Sequence, residues 1–165
     1  VNTSREREKL RESFRPPDIK LLFIGESPPA SGRFFYSANS GLYRAMRGAF
    51  QIAESTIQDE SFLKVFKERG CYLTDLSPEP IDHLAPEERR VLRRRAEKHL
   101  AQQIKRLQPL MIAPVLRSIA MNVENAASLA AWRGRIVQLP YPGRWSRHRE
   151  AFLEALVPVI QRLNQ

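Results

Sequence analysis

The stretch LLFIGESPPASGRFFY, residues 21–36, sets an uninterrupted apolar run against a loop of small residues and prolines, then closes on three aromatics. Leu21 to Ile24 show no polar alternation. Such a run suits a strand buried on both faces, as in a parallel sheet. Gly25 ends it, and Pro28-Pro29 prevents the loop from continuing as strand or helix. Where parallel strands are joined by helical crossovers, ligands bind in the loops at the strands' carboxyl ends. This loop is the first of that kind in the chain.

Outward from it, strands alternate with helices. GLYRAMRGAFQIA (41–53) places Leu42, Met46 and Phe50 at helical spacing, and SFLKVFKERG is a second short helix with Gly70 just past its end. CYLTDL reads as a strand running into the proline-rich loop SPEPIDHLAP. A long helix is expected over residues 86–107. Pro86 suits its first turn, Glu87 and Glu88 face the positive end of its dipole, and Leu92, Ala96, Leu100, Ile104 and Leu107 form one apolar stripe. PLMIAPV is a third strand, followed by a short helix near residues 117–123, and GRIVQLP is a fourth. The loop YPGRWSR leads to a C-terminal amphipathic helix. The pattern predicts an α/β three-layer sandwich: a four-stranded parallel sheet covered by helices on both faces, with right-handed crossovers. Residues 1–18 read as a charged extension, helical or frayed, and 19–165 as the domain. The ligand loops are then those after Ile24, Leu73, Pro114 and Leu139.

The chain has 165 residues, 42% of them hydrophobic, enough for one core and cramped for two. A net charge of +9 and a pI near 10.3 favour an anionic partner, nucleic acid before acidic lipid. Cys71 is the sole cysteine, which rules out an intrachain disulfide and a cysteine-rich metal site. His83, His99 and His148 lack ligand spacing, so no metal and no cofactor are expected. Neither a Gly-x-Gly-x-x-Gly nor a P-loop is present, which argues against dinucleotide or nucleoside-triphosphate chemistry. No apolar run of membrane-spanning length and no signal-peptide core occurs, so a monomeric cytoplasmic protein is the expectation.

The order of these motifs resembles the uracil-DNA glycosylase superfamily. Gly25-Glu26-Ser27-Pro28, then Gly32 and Phe35, then Asn39 before a helix, is similar to its first active-site motif. CYLTDL resembles the strand that ends in a base-reading Asn, LQPLMIAPVLRSIA its Leu-x-Pro-strand-helix segment, and LPYPGRW stands in place of its last motif, usually His-Pro-Ser followed by a minor-groove wedge. The resemblance runs in order through most of residues 19–160. It implies a four-stranded parallel sheet between helices. It also implies an activity in which a damaged base is flipped out of DNA and its N-glycosidic bond hydrolysed.

That chemistry needs a stacking platform, an edge reader, a donor for the leaving base and an oriented water. The resemblance makes Phe35 the platform, although Phe34, Phe35 and Tyr36 also suit a core plug. Gly25, Pro28 and Asn39 belong with it to the base-binding set. Asp75 stands where the family has Asn. An ionised carboxylate only accepts hydrogen bonds, so it suits a donor-rich edge such as guanine N1–H with N2–H₂, or cytosine N4–H₂; protonated, it also donates. The alternative for Asp75 is a carboxylate capping a loop or pairing with an arginine. Ser27 replaces the carboxylate or amide that holds the water, and Glu26 adjoins it. Leu139 replaces the histidine that stabilises the departing base, leaving His148, nine residues on, as the candidate to reach back. Tyr141 and Trp145 are candidate wedges, with Arg144 and Arg147 as phosphate contacts. The basic run of Arg89, Arg90, Arg93, Arg94, Arg95 and Lys98 reads as a solvated outer helix face.

Two functions of different class remain. One is metal-independent hydrolysis of a damaged or modified base in single- or double-stranded DNA. The other is a catalytically silent module of the same fold that binds DNA or a nucleotide. A small-molecule enzyme of another doubly wound class is a third.

Overall fold

The structure, a computed structural model, describes residues 3–165. Its sheet is built from β1 (Leu21–Gly25), β2 (Cys71–Asp75), β3 (Met111–Pro114) and β4 (Arg135–Ile136), all parallel, in the order β2-β1-β3-β4. Six α-helices accompany it among the described residues: α1 (Ser4–Ser13), α2 (Gly41–Ala53), α3 (Phe62–Glu68), α4 (Pro86–Leu107), α5 (Ala120–Leu129) and α6 (Ser146–Leu163). The architecture is the three-layer sandwich that the alternating pattern implies. Helix α4 packs on α5, and α2 on α6. With right-handed crossovers the two pairs fall on opposite faces of the sheet.

β1 lies between β2 and β3, which is why its residues are apolar on both sides and every one is buried. Phe23 stacks on Phe66 of α3 with ring centroids 5.7 Å apart. Pro86 opens α4 with Glu87 and Glu88 in its first turn, and the helix ends on Gln108 in the left-handed region at φ 45°. The expected helix near 117–123 is instead a 3₁₀ turn (Arg117–Ile119) followed by α5, which continues to Leu129. The polar residues that blur its periodicity have a use: Asn122 and Asn125 both donate to the buried carboxylate of Glu97 on α4, at 2.9 and 3.1 Å. The fourth strand pairs as a ladder only at Arg135 and Ile136. Its path nevertheless stays beside β3, since Val137 N–H donates to Ile112 and Leu139 N–H to Pro114. Leu139 is thereby buried in the core.

β2 forms an edge of the sheet, where unpaired backbone groups invite association with other chains. Tyr36 covers that edge. Its hydroxyl accepts from Leu73 N–H at 2.7 Å and donates to Leu73 C=O at 3.1 Å. The charged N-terminal stretch is ordered against the same side. Its helix begins with a reciprocal cap in which Thr3 Oγ1 accepts from Glu6 N–H and the Glu6 carboxylate accepts from Thr3 N–H. Phe14, just past α1, stacks on Tyr36 at 5.4 Å, and Arg7 and Arg11 are the buried residues of α1.

Candidate functional site

At the carboxyl ends of the strands a cavity of about 800 Å³ opens, within the ~300–1,000 Å³ common for small-ligand sites. All four strand-end loops reach it. The β1 loop contributes Gly25 to Pro29, β2 ends in it with Asp75, the β3 loop adds Val115 to Ser118, and the last loop adds Pro140 to His148 in part.

Asp75 and Gly25 are register partners at the ends of β2 and β1. A Cβ at Gly25 would come within 2.6 Å of Asp75 Oδ1, so only glycine leaves room for that carboxylate beside the strand. The other oxygen, Oδ2, accepts from Arg11 Nη2 at 2.9 Å, and both side chains are buried. Burial pushes the Asp75 carboxyl above the ordinary carboxylate range, while Arg11 and, more weakly, Arg7 pull it down. Asp75 therefore lines the cavity and pairs with an arginine at once.

Ser27 Oγ accepts from Ile81 N–H at 3.2 Å, pinning the β2 loop against the β1 loop. Its hydroxyl hydrogen is then free to be directed elsewhere. Pro28 is buried beside it on the cavity wall. Glu26 is buried too, with Oε1 accepting from Arg89 Nη2 at 2.6 Å and Oε2 from Arg93. Both oxygens of this carboxylate are thus engaged by guanidiniums of α4, so neither is left to orient a water. The same pairs correct the expectation of a wholly solvated basic face on α4. Arg89 and Arg93, four residues apart on a helix, share one side, and that side meets Glu26.

Phe35 is buried and borders the cavity. Edge contacts from Tyr36, Tyr43 and Phe62, at 5.1, 5.9 and 6.5 Å, fix its ring. Core plug and cavity wall are thus the same residue. Phe34, buried beside it, also lines the cavity. Asn39 is placed differently: it lies outside the cavity wall, exposed, and its Oδ1 accepts from Phe34 N–H at 2.8 Å. It shapes the aromatic loop from outside.

His148, in the first turn of α6, lines the cavity. A Cβ on Gly143 would come within 2.8 Å of His148 Nδ1, so this glycine lets the last loop close on the imidazole. Tyr141, Arg144 and Trp145 stand on the rim; Trp145 is 60% exposed, with the Arg144 guanidinium 5.8 Å from its ring. Arg147 is exposed and outside the cavity wall.

The site residues the sequence hid are Arg11, Phe34, Arg89 and the Arg117-Ser118 pair. Phe34 stands in an aromatic triplet, in which nothing local separates it from Phe35. Arg117 and Ser118 follow from the strand-end rule once β3 is placed. Arg11 and Arg89 carry no local signal, because each is defined by a partner more than sixty residues away. Together the groups offer a planar apolar wall, an acceptor at Asp75, and hydroxyl and imidazole groups at Ser27 and His148. A basic aromatic rim surrounds them.

The family model described as the uracil DNA glycosylase superfamily matches residues 12–163. No curated protein matches the chain.

Proposed function

The chain belongs to the uracil DNA glycosylase superfamily, and on that premise we propose that it binds DNA, takes one nucleobase into the strand-end cavity and hydrolyses that nucleotide's N-glycosidic bond. The convergence of Ser27, Phe35, Asp75 and His148 on one cavity supports this reading most strongly. Phe35 stacks on the flipped base, a contact worth roughly 1–3 kcal/mol. Asp75 reads its edge. Water is held by Ser27 and the backbone of the 25–29 loop, and adds at C1′ as the C1′–N bond breaks. The bond's electron pair leaves with the base, His148 donates a hydrogen bond to the departing anion, and the water's proton passes to solvent. The scheme needs no metal. On the rim, Trp145 or Tyr141 fills the gap left in the helix, and Arg144 and Arg147 meet phosphates. The net charge of +9 favours association with the polyanion.

A second reading, a DNA- or nucleotide-binding module with a silent pocket, draws support from Glu26 and Leu139. The first is neutralised by two arginines and the second is buried. Both readings meet one test. Oligonucleotides carrying uracil, hypoxanthine, xanthine or alkylated bases are incubated with the protein and heated in alkali. Excision leaves strands that break at the base. Intact strands throughout, with DNA still retarded in a salt-sensitive way, would assign the silent module.

A further inference from the structure

Asp75 is a wall between two cavities. On its far side lies a second space of about 460 Å³, lined by Arg7, Glu8 and Arg11 of α1 and by His99, Gln103 and Arg106 of α4. From that side Arg11 takes Oδ2. On the near side Oδ1 rests over Gly25, and among the described residues no protein donor occupies it. Arg11 is itself held: Nη1 donates to Glu8, and its guanidinium lies 5.4 Å from the centre of the Phe34 ring. The N-terminal helix thus reaches the back of the pocket through one buried cation, one residue before the family match begins.

We propose that Arg11 is a positioning residue that fixes Asp75 as an acceptor-only reader, so that the pocket selects a nucleobase carrying an exocyclic amine over a dioxopyrimidine such as uracil. The inference rests on a nucleobase entering this cavity, as above. An amide at this position accepts from one edge atom and donates to the next, which matches a lactam N–H beside a carbonyl. Asp75 has one oxygen committed to Arg11 and one left over Gly25. That free oxygen accepts an N–H, but any carbonyl beside the N–H meets a negative charge. Uracil N3–H is flanked by two carbonyls. A guanine-type edge, with N1–H beside N2–H₂, or an aminopurine or aminopyrimidine, presents an amine instead.

Charge is what Arg11 supplies. A buried carboxylate without its cation takes up a proton, and a protonated Asp75 could donate to a carbonyl. The charged and titratable groups facing Asp75 are Arg7, Glu8, Arg11 and Glu12 from α1, Tyr72 on β2, Tyr36 from the aromatic loop, and His99 and Arg106 across the second cavity. Across the first cavity they are Glu26, Asp82, Arg89, Arg117, Tyr141, Arg144 and His148. Arg11 is the strongest of those that keep the carboxyl ionised. Selective binding of amines is therefore lost as pH falls through the Asp75 titration. Removing Arg11 moves that loss to higher pH.

The test uses the full chain and mismatched duplexes with one 2′-fluoro nucleotide, which resists hydrolysis, carrying guanine, 2-aminopurine or uracil. Affinity is read by fluorescence anisotropy at fixed salt from pH 5 to 9. Both amine bases should bind at least about tenfold more tightly than uracil at pH 7, one strong hydrogen bond's worth of discrimination. Arg11→Lys should keep that preference, and Arg11→Met should lose it with its acid limb displaced upward. Since Arg11→Met buries a lone carboxyl, the double variant Arg11→Gln/Asp75→Asn makes both members of the pair neutral, and it should favour uracil. Equal or tighter binding of uracil by the parent, or an unchanged amine preference in the double variant, would overturn the inference while leaving DNA binding in place. Failure to retain any of the duplexes would overturn it together with the function proposed above.

Discussion

Gly25→Ala tests the floor of the pocket with a single methyl group. The added Cβ would lie 2.6 Å from Asp75 Oδ1, whereas real contacts essentially never fall below 3.0 Å and ordinary ones start at 3.4 Å, so carboxylate and strand must part by about 0.4–0.8 Å. Neither moves freely. Gly25 is paired across to Asp75 inside the sheet, and Asp75 is tied to buried Arg11. Overpacking of this kind typically costs ~1–3 kcal/mol, and the site has little room to relax, so a loss of ~2 kcal/mol is expected. Equilibrium urea unfolding reads it as a lower midpoint with an unchanged slope. The control is the same substitution in an Arg11→Met/Asp75→Ala background, where the obstructing atom is gone and neither member of the buried pair is left alone. That background also frees Glu8, which is half exposed and unaffected by residue 25, so there Gly25→Ala should cost less than ~0.5 kcal/mol and the coupling between the sites should exceed ~1 kcal/mol. Equal cost in both backgrounds, or none in either, would refute the claim that the carboxylate occupies the space a side chain would need.

Tyr36→Phe should lower stability by ~1–3 kcal/mol, because the edge-strand N–H and C=O of Leu73 both lose their partner; thermal unfolding measures this, and a gain in self-association at high concentration should accompany it. Glu26→Gln should reduce stability through the stranded Arg89 and Arg93 yet slow single-turnover base excision less than tenfold, whereas loss of a general base would slow it ~10²–10⁴-fold. Trp145→Ala, at an exposed rim position, should weaken binding to mismatched duplex more than to single strands in a gel-retardation series. Equal losses on both would count against its role as a wedge.

The sheet and its ligand edge were legible because they rest on strong local signals. A four-residue apolar run cannot face water on either side, and Pro86 followed by two glutamates marks the start of α4 with no tertiary information. Weaker periodicity gave weaker bounds: α5 runs past Val123 because its asparagines point inward to Glu97, a partner on another helix. The N-terminal helix was the least readable. Its two buried residues are arginines, so it lacks the apolar stripe that marks a packed helix. Its contribution to the site is an ion pair across sixty-four positions. Glu26 adjoins the water-holding position in sequence, yet its partners are on α4. Asn39 belongs to the same motif as Phe35, but the turn between them leaves it outside the cavity, holding Phe34 N–H.

The most direct measurement is a structure of the chain with a mismatched duplex carrying a 2′-fluoro nucleotide whose base bears an exocyclic amine. The base should lie out of the helix against Phe35, with its amine within ~3.2 Å of Asp75 Oδ1 and Arg11 still on Oδ2. A base left stacked in the duplex, or one lodged in the cavity with its amine turned away from Asp75, would contradict the account.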